Sequence, residues 1–188
     1  MSIVRALASG LLLAPLLVGC TLTGPRYGAH ITNTLALREA GLDKVAVREF
    51  RKDPDAKRDV DRVKARAMTV ASAYGSYTAY LREAFANEFD HADLLDPDSH
   101  LRIDGVLLRN ELGGELGREF ALIEVDLTVT RDGTVVYRGR KDARYDWDSA
   151  FPGEVAIPRA ISNYQVGVQR LIAAYIADPE FVSALKRR

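Results

Sequence analysis

From Ala121 to Thr130 every second residue is apolar. Ala121, Ile123, Val125, Leu127 and Val129 fall on one side of an extended chain, and Glu124, Asp126, Thr128 and Thr130 on the other. That two-residue period is the signature of a strand with one face in a core and one in water. It recurs from Val135 to Asp148, where Val135, Tyr137, Ala143, Tyr145 and Trp147 alternate with Arg138, Arg140, Asp142, Arg144, Asp146 and Asp148. Leu101, Ile103 and Leu107, interleaved with Arg102 and Asp104, predict a third strand just before these two. Three consecutive half-buried strands require a layer of helices to cover one face.

The turn after Val129 sets the register. A two-residue Asp132-Gly133 loop would pair Val129 with Val136 and set Arg138 opposite Leu127 on the core face. A three-residue loop, Arg131-Asp132-Gly133, sets Val129 across from Val135 and Leu127 across from Tyr137, with Gly133 in the left-handed conformation. The three-residue loop is therefore expected.

Helices are predicted on either side of these strands. Tyr77, Leu81, Ala84, Phe85 and Phe89 recur at three- and four-residue steps within Ser76–Ala92, and Ser76 is placed to cap them. A longer helix is expected from Pro158 to Ala177, burying Ile161, Tyr164, Val168, Leu171, Ile172 and Tyr175, with Pro158 in its first turn. Asp178-Pro179 opens a short last helix. Lys44 to Phe50 reads as an early strand. The expected order is β-α-β-β-β-α: an α+β fold with an antiparallel sheet of three to four strands and two main helices on one face.

The N-terminus has a different character. Arg5 precedes an apolar run from Ala6 to Leu16, and Leu17, Val18 and Gly19 lead to Cys20, the single cysteine. This is the layout of a secretory signal peptide, too short to span a bilayer as a helix. Leu17-Val18-Gly19-Cys20 also resembles the lipobox of bacterial lipoproteins. The resemblance implies cleavage before Cys20 and acylation there, with Leu17 to Gly19 read by the signal peptidase. Thr21 rather than aspartate after the cysteine implies the outer membrane. Two acyl chains suffice for stable anchoring. Residues 1–19 are thus expected to be removed, 20–43 to form the lipidated cysteine and a tether, and 44–188 to form a single periplasmic domain.

Loss of residues 1–19 takes Arg5 with it, leaving 25 basic against 26 acidic residues. A charge so near balance gives no basic surplus for nucleic acid. The alternating charges of residues 51–66 read as a solvated surface.

Motifs for catalysis are missing: the sequence contains no H-E-x-x-H, C-x-x-C, G-x-S-x-G or P-loop pattern. Gly113-Gly114-Glu115-Leu116-Gly117 reads as a mobile hairpin loop, since it opens no helix that could hold phosphate. Asp90, His91, Asp93, Asp96, Asp98 and His100 could meet a divalent cation, but their types suit helix ends and turns equally well. Neither a metal nor a cofactor is assigned. Of the aromatic residues, Tyr77, Tyr145 and Trp147 suit the core, whereas Tyr74 and Phe151 fall in loops and are the candidate partner contacts.

The stretches from Tyr80-Leu81-Arg82-Glu83-Ala84 to Asp96-Pro97, from Trp147-Asp148-Ser149-Ala150-Phe151 to Ala156-Ile157-Pro158, and Asp178-Pro179-Glu180-Phe181 resemble a group of small proteobacterial lipoproteins. The element order is more loosely similar to penicillin-binding-protein activators and the exopolysaccharide-export lipoprotein PelC. These resemblances imply a non-catalytic outer-membrane lipoprotein that binds envelope proteins in assembly or export, with homo-oligomers also possible. The alternative is a periplasmic carrier holding a lipid or other amphiphile between helices and sheet.

Overall fold

Strand β1 (Thr21–Thr23) opens the computed structural model, which describes residues 21–115 and 117–186. Helix α1 (Ile31–Glu39), strands β2 (Ala46–Lys52), β3 (Val63–Ala65) and β4 (Met68–Ala71), and helix α2 (Tyr77–His91) follow. Then come β5 (Leu101–Glu115), β6 (Arg118–Arg131), β7 (Thr134–Asp148), α3 (Gly153–Ile176) and α4 (Pro179–Leu185). The expected signal peptide and lipobox, with Cys20, lie outside the described residues.

The fold is α+β, built on a four-stranded sheet in the order β2-β5-β6-β7 beside a smaller sheet, β1-β4-β3. Helix α2 lies over β2 and β5, α3 lies over β6 and β7, and α1 packs on both helices. The expected antiparallel sheet needs one correction. β5, β6 and β7 form an antiparallel meander, but β2 joins β5 in parallel. Between them α2 carries the chain back across the sheet, so β5 runs in the same direction as β2.

Ala121, Ile123, Val125, Leu127 and Val129 are fully buried, as their alternation requires. The turn before β7 differs from expectation. Its loop is the two-residue Asp132-Gly133, both at positive φ (50° and 80°), as a tight hairpin turn demands. Thr130 pairs with Val135, Val136 is skipped, and Val129 pairs with Tyr137. This β-bulge puts Gly139, not Arg138, opposite Leu127 and keeps the charges on the solvent face. Gly113 and Gly114 likewise belong to β5, paired with Phe120 and Glu119, so the hairpin loop is shorter than expected.

Helix α2 has the predicted stripe and cap. The Ala79 amide donates to Ser76 Oγ at 3.0 Å, while Asp61 accepts the Tyr77 and Thr78 amides at 2.6 and 3.2 Å. These bonds satisfy donors that a helix start leaves open. At the other end Asp93 adopts φ 61°, and the Leu94 amide bonds back to the Phe89 carbonyl at 2.8 Å, closing a Schellman motif. Helix α3 begins at Gly153, five residues before the expected Pro158, which falls inside it. Pro158 has no N–H for the Glu154 carbonyl, so one bond of the early helix is forgone.

The largest correction concerns residues 21–43, expected as a tether. β1 pairs in parallel with β4, and the Gly24 amide donates to the Ala71 carbonyl at 2.9 Å. Tyr27 is buried, and α1 buries Asn33, Thr34 and Leu37. Only one of those three α1 residues is apolar, so the helix carries no hydrophobic stripe from which it could be read. Its buried side is polar because it meets a buried carboxylate, Glu88 of α2.

Candidate functional site

At the end of the sheet where β5 turns into β6, a cleft of about 700 Å³ opens between three segments. The β3–β4 turn supplies Arg66, the β5–β6 hairpin supplies Gly113, Gly114 and Glu119, and β7 with its exit loop supplies Trp147 and Phe151. Glu119 and Trp147 are direct cross-strand partners, and both are buried. The Trp147 indole N–H donates to Glu119 Oε2 at 3.0 Å, and Arg66 Nε donates to Oε1 at 3.2 Å. The carboxylate thus has a charged donor and a neutral one, which offsets the cost of its burial.

Arg66 does more than neutralise Glu119. Its guanidinium donates to the Phe151 carbonyl at 2.9 Å, to Ser149 Oγ at 3.0 Å and to the Ala150 carbonyl. The Ser149 amide donates to the Gly117 carbonyl at 3.0 Å. The loop from 149 to 152 is therefore tied at several points to the neighbouring hairpins. Arg66 stands at φ 54°, a conformation that an arginine adopts only at a cost. The Phe151 side chain on this fixed loop is 89% exposed.

The two residues expected to touch partners differ in setting. Phe151 is displayed at the cleft. Tyr74 is half-buried, its ring edge-on to Tyr80 at 5.8 Å and 5.7 Å from the Arg26 guanidinium. Its hydroxyl accepts the Tyr27 amide at 3.3 Å. It belongs to an aromatic cluster with Tyr27, Tyr77, Tyr80 and Tyr164, in which burial pushes the hydroxyls of these four well above their ordinary pKa. Tyr77, Tyr145 and Trp147 pack against the core, as expected.

The acidic and histidine residues around Asp96 are dispersed. His91 Nδ1 lies 2.9 Å from the Asn87 carbonyl oxygen, whereas His100 is largely exposed, 3.8 Å from Asp132. Asp93 pairs with Arg38 at 3.3 Å, and Asp96 accepts the Asp98 amide at 3.0 Å. Among the described residues, no three His, Cys, Asp or Glu side chains converge as metal ligands would.

Sequence reasoning missed Arg66 and Glu119. Arg66 ends a run of mixed charge that reads as solvated. Glu119 carried a usable signal, since it shares the odd-numbered face with Ala121 and Ile123, where a carboxylate must find a partner. Between the sheet and its helices, Phe85, Phe89, Leu171, Tyr175, Ile123 and Leu127 are fully buried and fill the layer.

Fold and cleft together define a mixed α+β domain with two main helices over a four-stranded sheet and a polar-anchored cleft at one end. No protein-family model matches the chain, and no curated protein matches it. Its fold is that of a Xanthomonas campestris protein of the DUF330 family, with a TM-score of 0.55 at 10% identity over 87% of this chain and 96% of that one. A candidate lipoprotein from Caulobacter crescentus superposes with a TM-score of 0.48 at 15% identity, covering 81% of this chain and 97% of its own. A minor lipoprotein from Acinetobacter baumannii gives 0.39 at 10% identity over 78% and 96%.

Proposed function

We propose that this chain is a non-catalytic lipoprotein of the outer membrane, anchored through Cys20, whose periplasmic domain binds other envelope proteins during assembly or export. The observation that carries this reading is Phe151. A large apolar side chain, 89% exposed, stands on a loop that Arg66 holds through three acceptors. Exposed aromatics on rigid supports serve as interface anchors, because little entropy is lost when a partner covers them. No helix among the described residues is long and apolar enough to cross a membrane; the attachment through Cys20 rests on the resemblance of Leu17-Val18-Gly19-Cys20 to a lipobox. Since Thr21 already belongs to β1, the lipid would hold the domain close against the bilayer rather than on a leash.

Placing a photo-reactive phenylalanine analogue at position 151 in cells tests the reading. Crosslinks to one envelope protein, lost when Arg66→Ala frees the loop, are the expected result. Crosslinks to lipid alone would favour the amphiphile carrier instead. The anchor is tested separately: Cys20→Ala should move the protein from the membrane fraction to the soluble one, and retention after a high-salt wash would refute it.

A further inference from the structure

Strand β7 forms one edge of the four-stranded sheet, paired with β6 and, among the described residues, with no strand on its other side. A 15-residue edge exposes a row of backbone donors and acceptors that another strand could extend. Charges on an edge commonly keep other strands away. Here their order does the reverse for one partner. Along the solvent face of β7 the signs run plus, plus, minus, plus, minus, minus, at Arg138, Arg140, Asp142, Arg144, Asp146 and Asp148. Read backwards with every sign inverted, the series is unchanged.

We infer that β7 pairs antiparallel with β7 of a second copy of this chain, about a two-fold axis at Ala143. Residues directly opposite in an antiparallel pair share a face, so the charged side chains of one β7 meet the charged side chains of the other. Centring on Ala143 sets Arg138 against Asp148, Arg140 against Asp146 and Asp142 against Arg144, each twice by symmetry. Of the two-fold registers centred on residues 139 to 147, it is the one that opposes no like charges. Shifting the axis one residue to Asp142 sets Asp142 on itself and Arg140 on Arg144; shifting it to Arg144 sets Arg144 on itself and Asp142 on Asp146. An isologous contact of this kind is self-complementary and closes at two subunits.

The other face of β7 tolerates the contact. Lys141 points to the core side but is held by Asp178 at 2.8 Å and would lie opposite Tyr145 of the second copy. Ala143, on the axis, is small. The two sheets would join into one of eight strands. The charge pattern that carries this inference involves neither Phe151 nor Arg66.

Sedimentation of the full chain in detergent, with charge exchange at Arg138 and Asp148, tests the inference. Neither residue forms an ion pair within the chain among those described, so both can be changed with little effect on folding. Arg138→Asp should raise the dimer dissociation constant roughly tenfold, because like charges then face each other at two positions. Asp148→Arg should do the same, and the double variant should recover the wild-type value. Ala143→Cys should form a disulfide-linked dimer beyond any background from Cys20, since opposed residues lie within disulfide reach. A chain that stays monomeric at high micromolar concentration would overturn the inference. So would single reversals without effect, a double variant that does not recover, or a crosslink from position 143 to a different protein.

Discussion

Tyr27 donates its hydroxyl to Glu88 Oε1 at 2.6 Å, joining the N-terminal segment to a fully buried carboxylate in α2. The His30 amide (2.9 Å) and Asn33 Nδ2 (3.3 Å) reach the same oxygen, and Thr34 Oγ1 reaches the other at 3.3 Å. All four donors are neutral and all come from the segment that follows Cys20 in the sequence. Glu88 is thus the point at which that segment is fastened to the domain.

Tyr27→Phe should therefore cost about 1.5–3 kcal/mol, the range for one hydrogen bond to a charged group. Denaturant unfolding measures the loss. Hydrogen exchange should show amides of residues 24–40 opening first. Unchanged stability would mean that the Tyr27 hydroxyl does not help to fasten the segment to Glu88.

Three glycines in the sheet lie under aromatic rings: Gly105 under Phe50, Gly113 under Phe120 and Gly139 under Tyr137. A Cβ on Gly105 would stand 2.4 Å from the Phe50 ring, and that ring also packs on Phe85 at 5.4 Å. Gly105→Ala should destabilise by about 1–3 kcal/mol through overpacking. The loss should shrink in a Phe50→Leu background, where the added methyl finds room. Equal losses in both backgrounds would rule out the ring as the cause.

Much of the sheet could be read from the chain because water faces only one side of it. Leu127 is completely buried and Asp126 is on the opposite face, paired with Arg140 at 3.1 Å. Leu127→Ala should cost about 2–5 kcal/mol and Asp126→Ala no more than about 1. Similar losses in denaturant melts would contradict the faces assigned to β6. The residues that escaped reading are those whose partners are distant and polar. The bulge at Val136 leaves no periodic trace, although the clash it resolves, Arg138 opposite Leu127, was visible. Helix α1 buries Asn33 and Thr34 for the sake of Glu88, itself placed on the apolar stripe of α2 one turn beyond Ala84. Arg66 could be found only through Glu119, 53 residues away. For the candidate cleft, then, Phe151 was legible as a loop aromatic, whereas Glu119, a charge on a core face, offered a signal that went unread. The arginine that joins them was not.

The last prediction concerns pH. Asp178 accepts hydrogen bonds from Lys141 Nζ at 2.8 Å, from the Tyr137 hydroxyl at 2.9 Å and from the Glu180 amide at 2.9 Å, which caps α4. The Lys141 bond is the largest of the influences that hold its carboxyl at about 2, below the ordinary 3.8. A carboxylate lowered by folding contributes stability above its unfolded pKa, and that contribution fades as pH falls through the folded one. The contribution of Asp178 should accordingly be complete above about pH 4 and disappear towards pH 2. After allowance for solvent screening it amounts to about 1 kcal/mol. Comparing melts of the wild type and Asp178→Asn from pH 6 down to pH 2 isolates it from the other carboxylates. The two stabilities should differ most at neutral pH and converge in acid. A gap that stays constant over the whole range would mean that the variant loses packing or the helix cap, and that the charge on Asp178 contributes nothing of its own.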